Sequence, residues 1–348
     1  MSAIGKPLVL SAPDPRSLDL IFTDTARREL HARYDVLECE PSAIAGQSDE
    51  TLSGETLAAV RYIIGQPSIT PETLAAMKSL RCIFNVETNL INNMPYEALF
   101  ERGIHVVTTG AVFADPVAEL GLAMALNLAR GIVDADVDFR EGRELWGGDG
   151  NSTARLLTGS EIGIVGFGDL GKALNRLLAG FNATIRVFDP WLPPSILRDH
   201  NVEPASLETV LSQSDTVFVV AAVTNDNTGF LGREAFSLMR RNAAFILLSR
   251  AGVVNFDALM QAVRSGHIVA ASDVFPDEPL AADHPVRKLP GFLRSAHRAG
   301  ALDIAFKRMG DMVLEDMDLM DRGLPPMRSK RAERETVSRM RSKPVTTN

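Results

Sequence analysis

Three glycines constrain this chain most. Gly166, Gly168 and Gly171 are spaced G-x-G-x-x-G within Gly163-Ile-Val-Gly-Phe-Gly-Asp-Leu-Gly-Lys. Residues 162–166 read as an apolar strand and residues 170–180 as a helix. Strand, glycine turn and helix in that order are the setting in which this spacing binds a dinucleotide. Gly166 permits the tight turn, Gly168 lets the backbone approach a pyrophosphate, and Gly171 lets the helix pack close to the sheet. Phe167, Asp169 and Leu170 fill the positions between and belong to the same candidate site. The helix N-terminus adds N–H groups and the positive end of a dipole. A second strand over residues 184–189 ends in Asp189, 18 residues beyond Gly171. A carboxylate there accepts hydrogen bonds from the adenosine ribose and repels a 2′-phosphate, so NAD is expected over NADP. Residues 166–172 also spell G-x-x-x-x-G-K, but Ala173 follows where a triphosphate-binding loop needs a hydroxyl. The plainest alternative is a tight turn in a domain that binds nothing.

Strand-like and helix-like runs alternate on both sides of this motif, which argues for parallel α/β sheets. Upstream, strands are expected at residues 8–11, 35–39, 62–65, 82–86 and 105–108, and helices at 17–34, 56–60, 71–79 and 96–102. Residues 117–130 are apolar on most faces, which predicts a buried helix between domains. Residues 147–153 read as a polar, glycine-rich loop. Downstream, strands are expected at 216–221, 244–248 and 268–273, and an amphipathic helix at 304–320. Beyond Pro326 the chain carries seven basic and two acidic residues without apolar periodicity, which reads as a mobile tail.

A chain of 348 residues is long enough for two domains with their own cores. Its net charge of −8 lacks the basic footprint of a nucleic-acid binder. We find no run of about 18 apolar residues, so no membrane span is expected. Cys39 and Cys82 have no metal-ligand or C-x-x-C spacing, no metal site is expected, and reduced thiols fit a cytoplasmic location.

Three further segments carry a resemblance. They are Leu248-Ser-Arg-Ala-Gly-Val-Val, Ala271-Ser-Asp-Val-Phe-Pro-Asp-Glu-Pro-Leu and Ser295-Ala-His-Arg-Ala-Gly. Together with the glycine motif they resemble the D-2-hydroxyacid dehydrogenase family, NAD-dependent and specific for the D isomer, over roughly residues 80–325. The resemblance implies that Arg250, Glu278 and His297 are catalytic and that Asp273 lies on the nicotinamide side. It implies a Rossmann-type cofactor domain, residues 116–303, inserted into a smaller flavodoxin-like α/β substrate domain formed by residues 1–115 and 304–326. Residues 327–348 would be the tail. It also implies a homodimer, for which residues 117–129 offer an apolar surface. The family usually carries a glycine-rich loop before the helix at Tyr96, whose N–H groups hold the substrate carboxylate. Residues 85–93 contain no glycine here, and Val86, Glu87 and Thr88 take the substrate-binding place. Glu87 would set a negative charge near a carboxylate, which predicts selection against dicarboxylates.

The residue types suit the reaction. Guanidinium stays charged and grips a carboxylate bidentately, which suits Arg250 to holding a 2-oxo acid and polarising its carbonyl. Imidazole titrates near neutrality, which suits His297 to giving a proton in reduction and taking one in oxidation. A carboxylate such as Glu278 fixes the imidazole tautomer and favours its protonated form. The expected activity is hydride transfer between NAD(H) and a small 2-oxo or 2-hydroxy acid such as hydroxypyruvate or glyoxylate. The alternative is an NAD-sensing regulatory protein that keeps the fold without turnover.

Overall fold

Parallel strand pairing builds both halves of the molecule. A computed structural model describes residues 5–46, 52–87 and 90–338. The described residues up to Val112 and those over 301–338 form one α/β unit, and Phe113–Gly300 forms the other.

In the first unit, β1 (Leu8–Ala12), β2 (Asp35–Glu38), β3 (Val60–Gly65), β4 (Cys82–Asn85) and β5 (His105–Thr108) lie side by side in the order β5-β4-β3-β1-β2. All of these pairs are parallel. Leu10, Ile63, Ile83 and Val106 are fully buried at the centre of this unit's core. The helices between the strands start at hydroxyl caps: Ser17, Thr23, Ser53 and Thr70 each accept from the N–H three residues on. That chemistry corrects the single helix expected over residues 17–34. Phe22 is extended and buried, and Thr23 caps a fresh start, so Leu18–Ile21 and Asp24–Arg33 are separate helices. Cys82 is buried and Cys39 partly buried, both as free thiols.

The tail expected to be mobile is ordered over its described part. A two-residue strand, Lys330–Arg331, pairs antiparallel with β5. Asp316, fully buried on the helix Asp303–Asp321, accepts hydrogen bonds from the backbone N–H groups of Met327, Arg328 and Ser329. Arg334 then forms an ion pair with Glu97. A buried carboxylate binds backbone N–H groups strongly, and this anchor carries no periodicity for a sequence reading to find. Residues 339–348 of that expectation lie outside the described residues.

In the second unit, β6 (Glu161–Val165), β7 (Thr184–Phe188), β8 (Glu203–Pro204), β9 (Thr216–Val219), β10 (Ala244–Leu247), β11 (Val269–Ser272) and β12 (Phe292–Arg294) form one sheet in the order β12-β11-β10-β9-β6-β7-β8. Every pair is parallel. Strand order reverses between β6 and β9. Ligands of open α/β sheets bind beyond the carboxyl ends of strands at such a switch point. The short edge strand β12 is not among the expected strands.

The apolar helix runs Ala114–Arg130 and packs on the helix Asp169–Leu178 and on β10 and β11, all within the second unit. Met124, Ala125 and Ala129 on this helix are buried. By length and composition alone Gly110–Arg130 could also cross a membrane, a test that buried core helices pass as well. The exposed apolar surface belongs instead to the next helix, Ile132–Arg140, and the loop after it. Val137, Phe139, Leu145 and Trp146 are all exposed, and the Phe139 and Trp146 rings stand 6.4 Å apart. The expected loop at 147–153 includes a turn of 3-10 helix, Asp149–Asn151.

Candidate functional site

The glycine turn follows β6 directly, at the switch point. Gly166 has φ +93°, and a Cβ there would stand 2.6 Å from the Ala221 Cα. Both conditions exclude a side chain. A Cβ on Gly171 would meet the Gly166 carbonyl oxygen at 2.6 Å, so the helix Asp169–Leu178 sits against the turn as closely as the sequence predicts. Gly168 faces the opposite situation: its Cβ would meet nothing within 4 Å. It is also the N-cap of that helix, with no side-chain cap. Open space beside an uncapped helix N-terminus fits a pyrophosphate.

Asp189 stands just past β7. Its Oδ2 accepts from the Phe167 N–H at 2.8 Å, and its Oδ1 accepts from the Trp191 N–H at 2.9 Å. The carboxylate therefore ties the glycine turn to the end of β7, a structural task the sequence reading did not assign. A carboxylate has lone pairs beyond these bonds for ribose hydroxyls. Beside it lies a pocket of about 310 Å³ lined by Val187, Phe188, Asp189, Leu192, Pro194 and Leu197, among others. Among the described residues no group of acids, histidines and cysteines could hold a metal ion.

The three remaining motifs follow the ends of β10, β11 and β12. Arg250 comes three residues after β10, in extended conformation, and its Nη1 donates to the Ser249 carbonyl at 2.7 Å. Glu278 and His297 meet: His297 Nδ1 lies 2.5 Å from Glu278 Oε2, while Glu278 Oε1 accepts from the Phe275 N–H at 2.8 Å. The glutamate is thus fixed on one oxygen by backbone and presents the other to the imidazole. His297 has φ +48°, a region L-residues rarely adopt. Its backbone N–H donates to the Asp273 carbonyl at 2.7 Å. The Asp273 carboxylate, 1% exposed, accepts from the N–H groups of Arg298 and Ala299 at 3.1 and 3.0 Å. These bonds hold the unusual conformation. Each Asp273 carboxylate oxygen thus has a backbone partner, a structural task beside the nicotinamide-side place that the resemblance implies.

In the first unit, Val86 and Glu87, just after β4, are held by several hydrogen bonds. The Glu87 N–H donates to Asn85 Oδ1 at 2.7 Å, and the Thr108 hydroxyl donates to the Glu87 carbonyl at 2.6 Å. Arg16 Nε donates to the Val86 carbonyl at 2.9 Å and lies 2.9 Å from Glu87 Oε1. The negative charge expected to stand near a substrate is therefore ion-paired. Thr88 lies outside the described residues. Arg16, Asn85 and Thr108 were missed by sequence reasoning. The one available signal was Asn85, a polar residue at the end of an apolar strand, which is fully buried.

Known proteins resemble this chain over most of its length. Residues 122–299 match the NAD-binding domain of the D-isomer specific 2-hydroxyacid dehydrogenases. A glyoxylate reductase from Korarchaeum cryptofilum is 31% identical over 74% of this chain and 78% of its own. A D-3-phosphoglycerate dehydrogenase from Archaeoglobus fulgidus is 27% identical over 85% of this chain and 55% of its own. The crystal structure of a phosphoglycerate oxidoreductase from Rhizobium etli superposes with a TM-score of 0.88 at 71% identity, covering 94% of this chain and 99% of that one. The chain, with its glycine turn at the switch point of a parallel sheet and its match across the NAD-binding domain, belongs to the D-isomer specific 2-hydroxyacid dehydrogenase family.

Proposed function

We propose that Arg250, Glu278 and His297 are the catalytic residues with which this NAD-dependent dehydrogenase interconverts a small 2-oxo acid and its D-2-hydroxy acid. The observation that carries this reading is the His297–Glu278 pair. With Nδ1 turned to the carboxylate, Nε2 is the ring nitrogen left to handle the substrate's proton. When bound, NADH supplies the hydride that adds to the carbonyl carbon. His297 Nε2 gives its proton to the carbonyl oxygen, which becomes the hydroxyl, and takes it back in oxidation. Glu278 stabilises the imidazolium and fixes its tautomer. Arg250 grips the carboxylate and polarises the carbonyl. The turn Gly166–Phe167–Gly168 and the N-terminal residues Asp169, Leu170 and Gly171 of the following helix would hold the cofactor's phosphates, with Asp189 at the ribose. Val86, Glu87 and Thr88 remain the proposed substrate segment of the first unit.

Glyoxylate and hydroxypyruvate are the proposed substrates, supported by the relatives named glyoxylate reductase. A second reading, an acid that also carries phosphate, is favoured by the name of the Rhizobium etli protein. The complete Arg250, Glu278 and His297 set speaks against an NAD sensor without turnover. The test is NADH oxidation against a panel of 2-oxo acids, with Glu278→Gln as the control. Turnover on none of them, or an unaltered pH profile in Glu278→Gln, contradicts the proposal.

Homodimerisation and a cytoplasmic location belong to the same proposal. The exposed Phe139–Trp146 surface supports a dimer, since patches of that kind mark interfaces. Two free thiols suit a reducing compartment. A monomer mass by light scattering at micromolar concentration, or the same dimer in Phe139→Glu/Trp146→Glu, refutes that interface.

A further inference from the structure

We infer that Arg16 decides which acids the substrate segment accepts, with Glu87 as its built-in counter-ion standing where a substrate's second anionic group would go. The inference rests on the reading that Val86 and Glu87 contact substrate. The Arg16 guanidinium is held by neighbours from separate parts of the chain. Its Nε donates to the Val86 carbonyl at 2.9 Å, Glu87 Oε1 lies 2.9 Å away, and the group stands 4.8 Å from the centre of the Phe306 ring. Arg16 follows β1 and Glu87 follows β4, both at the carboxyl ends of parallel strands, where α/β sheets present ligand-binding residues.

Two features make Arg16 the anion-recognising group. The Glu87 N–H, which a glycine-rich loop would offer to a carboxylate, is bonded to Asn85 Oδ1. A guanidinium grips carboxylate or phosphate with several donors in a planar fork. The pair is also unequal. The Arg16 side chain is 15% exposed and the Glu87 side chain 34%, and Arg16 has the Val86 carbonyl and the Phe306 ring to hold it when Glu87 leaves. A 2-oxo acid with a single charge meets a neutral pair and leaves it intact. An acid with a second carboxylate or a phosphate on carbon 3 must displace Glu87 from Arg16. The relatives named for glyoxylate and for phosphoglycerate differ by that second group.

The test compares kcat/KM for NADH-dependent reduction of hydroxypyruvate, oxaloacetate and 3-phosphohydroxypyruvate by the wild type, Glu87→Gln, Arg16→Met and the double variant. Glu87→Gln should raise the ratio of dianion to monoanion activity about tenfold for at least one dianion, mainly through KM, the size of one charge-assisted hydrogen bond. A gain for both dianions marks generic charge recognition, and a gain for one names the preferred anion. Arg16→Met should lower the ratio below wild type, and the double variant should lose the gain. Arg16→Lys, which keeps the charge, serves where Arg16→Met does not fold. Equal changes for all three acids in Glu87→Gln, or a gain that survives in the double variant, overturn the inference. KM values unmoved for every acid in every variant, with His297→Ala still inactive, overturn instead the assignment of Val86 and Glu87 to the substrate.

Discussion

The segment around His297 in the second unit and the segment around Glu87 in the first are both pinned by hydrogen bonds, but from different sources. His297, Arg298 and Ala299 are held by Asp273, and the imidazole by Glu278, residues 19 to 26 positions away in the chain. Each of these partners sits inside one of the recurring motifs. Glu87 is held by Asn85 two residues before it, by Thr108 on the next strand and by Arg16, which follows β1 and is bonded to Val86 across 70 positions. None of those three belongs to a motif. A site whose scaffold is written in the same motif as its chemistry can be read locally. A site whose scaffold comes from other strands is assembled only by folding.

The contrast predicts a graded set of effects. The largest belongs to His297→Ala. It should cut turnover by about 10²–10⁴, as loss of a general acid–base group does, while NADH affinity by fluorescence stays near wild type. An active variant would mean that the second unit's site does not centre on this histidine.

Asp273→Ala comes next. It strands the N–H groups of Arg298 and Ala299, each part-buried or buried, at a cost of about 1–3 kcal/mol apiece. The unfolding temperature should fall accordingly, and turnover should fall more than KM rises, because the backbone just after His297 loses two restraints while the His297 N–H keeps only the Asp273 main-chain carbonyl. A variant that lost stability alone would reduce Asp273 to a packing residue.

Asp189→Ala should act on two observables at once. It removes the carboxylate proposed to select NADH over NADPH and also the acceptor for the Phe167 N–H. NADH binding should weaken by about tenfold and the gap to NADPH should narrow. Loss of NADH binding with an unchanged gap would assign Asp189 to the turn alone.

These expectations also show what the sequence made legible and what it did not. The glycine turn and Asp189 were readable because backbone geometry dictates them at a fixed spacing, and the three catalytic candidates were reached through the resemblance of the segments that carry them. The parallel strands were readable because strands buried on both faces are near-continuous apolar runs. The helix Ile132–Arg140 was not, because Ile132, Val133, Val137 and Phe139 are exposed and leave no buried apolar face to mark it. Nor was the docked tail, whose order depends on Asp316 and on pairing with β5.

The smallest expected effect tests that tail. Burial first, then Arg331 and Arg81, lowers the His105 pKa below its ordinary value. A base held low in the folded state stabilises it above the unfolded value near 6.5, and that contribution is lost as pH falls from there toward the folded value. Hydrogen exchange at Ala332, whose N–H bonds the Val106 carbonyl, should speed up below about pH 6.5 beyond its intrinsic pH dependence. His105→Asn should remove the extra acceleration. An identical profile in the variant would exclude His105 as its source.

The central claim is that the second unit presents an acid–base histidine to a 2-oxo acid beside NADH, with the stereochemistry of the family. Chiral analysis of the product of hydroxypyruvate reduction tests it most directly. The account predicts D-glycerate alone, formed in equal amount to the NADH consumed and absent with His297→Ala. L-glycerate, a racemic product, or D-glycerate formed unchanged by His297→Ala contradicts it.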